Sequence, residues 1–478
     1  MREDGAVYLV KTCPEHGSFK SVIWRGGPDF ESWCETKPLN RPSVTQTVRD
    51  KGCPLDCGLC PDHAQQTCCV LLEVTSRCDL GCPVCFASSG EGTMPDPGLH
   101  EIEGWFQLLK DGPGRCNIQL SGGEPALRDD LPEIIGRGRD LGFSFFQLNT
   151  NGLRLAAETD YAGRLKEAGL STVFLQFDGL DDAVYRVTRG RPLFAQKEAA
   201  IAACADAGLG IVLVPTLIPG VNIHQIGEII DYALQRLPHV RGVHFQPVSY
   251  FGRYPHAPAD DVRYTLPELM RDIEQQTAGR IPASSLRPSG CGHSLCSVSG
   301  DYLVMPDGSL SRLTSPGNSR SCCGTGDNTG PVRSQGAADS QGAADRQNPA
   351  ERQRSFIARR WSPAIVSPAG QEPAVPAPHV DRTAGPCGCC ASTAQPGNVV
   401  MSVDEFLNRA RSHSLTITAM AFQDVWTLDL ERLQNCHLHV VAPGGRIVPF
   451  CAYNLTDAAG NHLYRATAAR PLVAGGAP

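Results

Sequence analysis

Val70-Leu71-Leu72-Glu73-Val74-Thr75-Ser76-Arg77-Cys78-Asp79-Leu80-Gly81-Cys82-Pro83-Val84-Cys85-Phe86 is an apolar run that feeds directly into a loop with C-x3-C-x2-C spacing. The run has the length and composition of a buried strand. The loop then offers three thiolates, Cys78, Cys82 and Cys85, and no fourth. A structural zinc site closes its tetrahedron with four ligands. A four-iron cluster held by three cysteines leaves one iron open to a small molecule. The loop therefore points to an enzyme, with a zinc knuckle as the alternative.

Outward from this stretch, residues 70–280 alternate short apolar runs with helical patterns, as repeated βα units do. The expected strands are Cys69–Val74, Asn117–Leu120, Ser144–Leu148, Thr172–Phe177, Ile211–Thr216 and Gly242–Pro247. Leu99, Ile102, Phe106 and Leu109 recur at helical spacing after the loop, as do Ile226, Ile229, Ile230, Ala233, Leu234 and Leu237 further on. Such a set suits an α/β fold, a partial (β/α)6 barrel of TIM-like type, whose working residues gather where strands end.

The flanks read differently. Residues 1–50 form a small β module around Cys13-Pro14-Glu15-His16-Gly17, one knuckle of a mononuclear metal site. No second pair stands before Cys13, and Cys34 is a lone downstream candidate. Residues 51–69 carry Cys53, Cys57, Cys60 and Cys68, four thiolates that complete a site: an auxiliary four-iron cluster, or a four-cysteine zinc site. Cys69, next to Cys68 on a starting strand, points the other way and reads as core. His63 reads as exposed or as a group behind the ligands. Residues 281–314 hold Cys291 and Cys296, which with Cys436 and Cys451 of the C-terminal module (401–478) make a possible further cluster. The stretch 315–400 is a low-complexity insertion rich in Gly, Pro, Ser and Ala, with SQGAAD repeated at 334–339 and 340–345. It is too poor in apolar residues to offset its ordering entropy. Only Phe356–Trp361 looks able to dock. Its Cys322, Cys323, Cys387, Cys389 and Cys390 read as redox-active or incidental thiols, and Cys116 and Cys204 as core. Gly444-Gly445 suggests a hairpin turn between two late β runs, His437–Val441 and Arg446–Phe450.

Bulk properties narrow the classes. The 478 residues carry a net charge of -7 and 19% charged residues, so no basic footprint indicates nucleic acid. The 21 cysteines fall in tight clusters behind no signal-peptide pattern, which favours metal or cluster ligation in a reducing cytoplasm over disulfides. No apolar run is long enough to span a bilayer, leaving at most peripheral membrane contact.

The cysteine loop resembles that of the radical S-adenosylmethionine (SAM) superfamily, and so does Ser121-Gly122-Gly123-Glu124-Pro125 after the second strand. The resemblance implies a radical-SAM [4Fe-4S] cluster on Cys78, Cys82 and Cys85. It also implies SAM held by Gly122, Gly123, Glu124 and Pro125, with Asn149, Asn151, Gln176 and Asp178 at later strand ends. Glu124 would accept from the SAM ammonium. The implied chemistry is reductive cleavage of SAM to a 5′-deoxyadenosyl radical that takes a hydrogen from substrate. A small reducing protein such as ferredoxin or flavodoxin would supply the electron.

A narrower resemblance spans nearly the whole chain. CPLDCGLCPDH, EVTSRCDLGCPVCFASSG, IQLSGGEPALRDDLP, QLNTNGLRL, VFLQFDGL, HFQPVSYFGRYP and FCAYNLT are together similar to one group. The group holds archaeal tetraether-lipid synthases, dihydro-hydroxymethylpterin dimethyltransferase-like proteins and the bacterial radical SAM (seleno)protein TrsS family. It implies C–C bond formation or alkylation at an unactivated carbon of a lipid, or methylation of a pterin-type small molecule. A non-catalytic electron-transfer or scaffold protein is the alternative from another class.

Overall fold

The computed structural model describes residues 1–34, 40–90, 94–290, 292–313, 354–355, 358–363, 401–457 and 461–465. Three N-terminal strands, β1 (Arg2–Glu3), β2 (Ala6–Cys13) and β3 (Gly17–Arg25), form a small antiparallel sheet. The barrel strands follow: β4 (Cys69–Thr75), β5 (Asn117–Gly122), β6 (Phe146–Thr150), β7 (Thr172–Gln176), β8 (Gly210–Val214), the short β9 (Thr216–Leu217) and β10 (Val240–Pro247). Strands β4, β5, β6, β7, β8 and β10 pair in parallel with their neighbours in that order. β4 is buried at six of its seven positions, which is why its sequence runs apolar without alternation.

Helices cover the outside. α1 (Phe30–Trp33) belongs to the N-terminal part. The first barrel helix, α2 (Leu99–Asp111), buries Ile102, Trp105, Phe106 and Leu109, one stripe at helical spacing. After it come α3 (Leu131–Asp140), α4 (Leu153–Ala157), α5 (Tyr161–Ala168), α6 (Asp182–Arg189), α7 (Phe194–Asp206), α8 (Ile226–Leu234) and α9 (Leu266–Gln276). The third barrel strand begins two residues later than Ser144, at Phe146, with Phe143 and Phe145 already buried ahead of it.

The later elements extend the same sheet. β11 (Arg287–Pro288), β12 (Ser297–Val304) and β13 (Leu310–Arg312) lead to α10 (Val403–Ser412) and β14 (Ser414–Met420), and β14 pairs in parallel with β10. Past α11 (Leu430–Gln434), β15 (Leu438–Ala442) pairs in parallel with β4 at the opposite edge, and β16 (Arg446–Pro449) pairs with β15. Gly444 and Gly445 make the turn of that hairpin at φ 83° and 81°. α12 (Phe450–Asn454) closes the chain's described helices. Both edges of the six-strand set are thus continued by C-terminal strands. The insertion's SQGAAD repeats and its five cysteines, and Cys291, lie outside the described residues; Trp361 is described, and it is buried. Cys116 and Cys204 are core.

Candidate active site

The cysteine loop leaves the C-terminal end of β4 and is pinned on two sides. On one side, Gly123 N–H donates to Thr75 O (2.8 Å) and Glu124 N–H donates to Arg77 O (2.8 Å). A Cβ on Gly122 or Gly123 would overlap the carbonyls of Thr75 and Arg77 respectively, so the two glycines are the condition for this contact. On the other side, Cys85 pairs with Arg253 through two backbone hydrogen bonds of 2.9 Å. The Arg253 side chain donates to Cys82 O (2.9 Å) and to Ser89 O (3.1 Å). Gly252, at φ 69°, lies so close that a Cβ would overlap the carbonyl oxygens of Cys85 and Phe86.

Glu124 is buried, and its carboxylate accepts from Ala126 N (2.9 Å), Thr150 Oγ1 (2.7 Å) and Asn151 N (2.6 Å). Burial pushes its pKa up to about 7, although these hydrogen bonds oppose the shift. The Asn151 amide donates in turn to Asp79 Oδ1 at 2.6 Å, so the end of β6, the GGEP turn and the cysteine loop form one network. Behind them, Lys197 is fully buried and donates to Asn151 O (2.6 Å) and Gln176 Oε1 (2.7 Å). Burial brings its pKa down to about 7. Asp178 accepts from both Arg189 Nε (2.6 Å) and Arg189 Nη2 (2.9 Å), from Thr216 N (3.1 Å) and from Gln176 Nε2 (2.5 Å). Burial opposes its ionisation, but Arg189 beside it holds the carboxyl below its usual range. Arg189 also reaches the Cys82 thiol.

Cys78, Cys82, Cys85, Gly122, Gly123, Glu124, Asn149, Asn151, Gln176 and Arg189 line one cavity of about 300 Å³. The same lining is also richly apolar: Leu71, Phe86, Phe251, Met420, Phe422, Leu438 and Phe450. Pro125 and Asp178 stand behind the lining, Pro125 opening a short turn and Asp178 orienting Arg189. Arg189, Lys197, Gly252 and Arg253 carry no recognisable local motif; their partners are distant in sequence, so only the folded chain gives them a role.

The second cysteine set lies beside β4 and β15. Cys53, Cys57, Cys436 and Cys451 pack in one group, and Cys69 joins it. Cys68 is fully buried outside that group. Cys57 is hydrogen-bonded to Cys53, which together with burial raises its pKa; Cys60 is buried nearby. Arg432 touches the Cys296 thiol and lies near that of Cys451, and Gly292 presses on His437, next to Cys436. His63 is buried, its Nε2 3.1 Å from His439 Nε2. Cys13 Sγ lies 3.3 Å from His16 Nδ1, a contact that lowers the thiol's pKa to about 7, while Cys34 meets Ser294 instead. Among the described residues no three His, Cys, Asp or Glu side chains converge tightly enough to grip a single metal ion.

Parallel strands whose C-terminal ends present a three-thiol loop and a glycine cradle to one cavity define a radical SAM enzyme. Residues 72–233 match the Radical SAM superfamily model, and residues 1–25 match the HMPTM N-terminal zinc ribbon domain. The chain is 34% identical over 494 residues to the 7,8-dihydro-6-hydroxymethylpterin dimethyltransferase of Methanocaldococcus jannaschii, covering 95% of this chain and 90% of that protein. It belongs to the family of that protein, within the radical SAM superfamily. A probable GTP 3′,8-cyclase of Methanothermobacter thermautotrophicus is 30% identical over 176 residues, covering 36% of this chain and 56% of its own length. The crystal structure of Streptococcus suis SuiB bound to S-adenosylmethionine aligns over 45% of this chain and 48% of its own, with 17% identity and a TM-score of 0.39.

The family works with a [4Fe-4S] cluster and SAM, and the residues present fit both. The three loop thiols line the cavity at the C-terminal end of β4. The fourth cysteine of its lining, Cys69, stands at the first residue of that strand, at its other end, and Gly122 and Gly123 bring bare backbone to the lining. Among the described residues no helix is long and apolar enough to cross a membrane.

Proposed function

We propose that the protein functionalises an unactivated carbon of a lipid or small molecule, by C–C bond formation or by alkylation or methylation, at the cavity beneath the cysteine loop. The observation that carries this reading is the cavity's mixed lining, which joins thiols and polar strand-end groups to aromatic and aliphatic side chains. Cys78, Cys82 and Cys85 would hold the cluster. Gly122, Gly123 and Glu124 would meet the methionine part of SAM, with Asn149, Asn151 and Gln176 further along. When bound, cluster and SAM supply a carbon-centred oxidant strong enough to take a hydrogen atom from an unactivated C–H bond. This chain's residues do the rest. Glu124 has both carboxylate oxygens engaged by Ala126, Thr150 and Asn151, so its part is to fix the GGEP turn against β6 while the bare backbone faces the ligand. Arg189 sets a fixed positive charge against Cys82, and Asp178 keeps it in place. Phe86, Phe251, Phe422 and Phe450 exclude water from the reacting carbon, with Phe422 and Phe450 in contact at 4.5 Å between ring centroids.

Cys53, Cys57 and Cys60, with Cys68 or its neighbour Cys69, are the proposed ligands of an auxiliary cluster, and Cys291, Cys296, Cys436 and Cys451 of another. The domain division at residues 50, 69, 280, 314 and 400 is part of the same reading, as is a ferredoxin- or flavodoxin-like donor in the cytoplasm. Methylation of a pterin-type molecule is the second reading, favoured by the identity to the pterin dimethyltransferase along nearly the whole chain.

The test is anaerobic reconstitution, reduction and addition of SAM. Formation of 5′-deoxyadenosine, lost in Cys82→Ala, supports the proposal; its absence from the wild-type protein overturns it. Adding deuterated lipid or deuterated pterin separates the two readings by which one passes deuterium to 5′-deoxyadenosine.

A further inference from the structure

The barrel lumen has a floor that no barrel strand supplies. Trp361 enters from the long connection between β13 and α10 and packs with Phe145, Phe174, Val212 and Val214. Its ring centroid lies 4.7 Å from that of Phe174 and 6.4 Å from that of His244. The described residues around it, 354–355 and 358–363, lie at the strand ends opposite the thiols. Arg354 Nη1 donates to Thr67 O, just before β4 (3.2 Å), and Asn117 Nδ2, at the start of β5, donates to Arg354 O (3.3 Å). Arg241 Nε, near the start of β10, donates to Arg360 O (3.2 Å). The Trp361 carbonyl lies where a Cβ on Gly210, the first residue of β8, would stand.

Side chains lining the lumen alternate along each strand, so they form layers. Gln176 and Gln246 belong to an upper layer, and Phe174 and His244, whose ring centroids are 5.4 Å apart, lie two residues lower on the same strands. Trp361 closes the lumen under that second layer and lines the cavity with Phe174, Val214 and His244.

We propose that Trp361 is a specificity-determining residue: an end-stop whose indole fixes how deep an apolar substrate chain reaches into the barrel. The inference rests on the apolar-substrate reading and deepens it. Two residues of strand rise about 7 Å, so removing the indole deepens the lumen by roughly one side-chain layer. While room remains, each added methylene tightens binding about fourfold. Beyond the floor the gain stops.

The probes are saturated fatty acids of increasing length, titrated calorimetrically into the cluster-reconstituted, SAM-bound wild-type protein and its Trp361→Ala and Trp361→Leu variants. Unfolding midpoints verify that each variant is folded, and the leucine variant preserves an apolar plug if alanine does not fold. The expected result is a wild-type affinity that stops improving at one chain length. In Trp361→Ala it continues to improve for about five further methylenes, roughly a thousandfold in total, with Trp361→Leu between. The same cut-off in wild type and a folded variant overturns the end-stop while leaving the apolar-substrate reading intact. No binding of any chain length to any of the proteins overturns both. Binding confined to the alanine variant also overturns the proposal, because the lumen would then accept chains only where a hole had been made.

Discussion

Gly252→Ala should unseat the cysteine loop without touching a thiol. Gly252 sits at φ 69°, a left-handed backbone conformation that costs an alanine about 1–2 kcal/mol. Its missing Cβ matters more, because the carbonyl oxygens of Cys85 and Phe86 occupy that space. Both belong to backbone, so no side-chain rotation relieves the overlap; forcing an extra methyl into packed structure costs about 1–3 kcal/mol. The sum, about 2–5 kcal/mol, is large against the whole stability of a folded domain. The cheapest escape is to break the paired 2.9 Å hydrogen bonds between Cys85 and Arg253, which moves the third thiol away from the other two. The assay is iron and sulfide content after anaerobic reconstitution in a background where the auxiliary cysteines Cys57 and Cys451 are both alanine, alongside the unfolding midpoint of the cluster-free protein. The variant should lose most of the remaining iron and unfold at a lower temperature. Full iron content with an unchanged midpoint would refute the claim that the 251–253 segment holds the loop in register.

Arg189→Ala should destabilise the protein by about 3–5 kcal/mol, because it leaves Asp178 buried without its partner; a loss below about 1 kcal/mol in denaturant melts would show that Asp178 is satisfied by other means. Lys197 gives a pH dependence of definite sign. Its folded pKa, about 7, is well below that of a lysine in the unfolded chain, so the unfolded chain binds the extra proton across that interval and stability rises with pH from about 7 to about 10. Lys197→Met should remove a few kcal/mol of that rise, and an unaltered rise would assign it to other groups. Cys57→Ala should still form 5′-deoxyadenosine but give little product, while retained full turnover would remove the auxiliary cluster from the mechanism.

Much of this arrangement is legible in the sequence because its signals are local. The Val70–Val74 run, the thiol spacing and Gly122-Gly123-Glu124 each state their chemistry within a few residues, and all three meet in one cavity. Strand positions are legible to within two residues for the same reason. What escapes is nonlocal. β15 reads as an ordinary strand while Ser414–Met420, which becomes β14, carries no strand expectation, and nothing in their composition says that one joins β4 and the other β10. Arg189 is an arginine on a helix until Asp178 and Cys82 are folded against it. Cys68 and Cys69 are adjacent and chemically identical, so which faces the Cys53–Cys57 group depends on the register of β4 with β15, a pairing formed across most of the chain. Trp361 stands out within a polar stretch as something that must bury, but its destination under the barrel is set by Gly210 and Arg241, which carry no signal for it.

The most direct measurement is the EPR spectrum of the anaerobically reconstituted, reduced protein carrying both Cys57→Ala and Cys451→Ala, before and after SAM is added. A reduced four-iron signal whose g-values shift on addition of SAM, and which is lost when Cys82 is also alanine, is the predicted result. Stoichiometric zinc on Cys78, Cys82 and Cys85, or an iron signal indifferent to SAM, would contradict it.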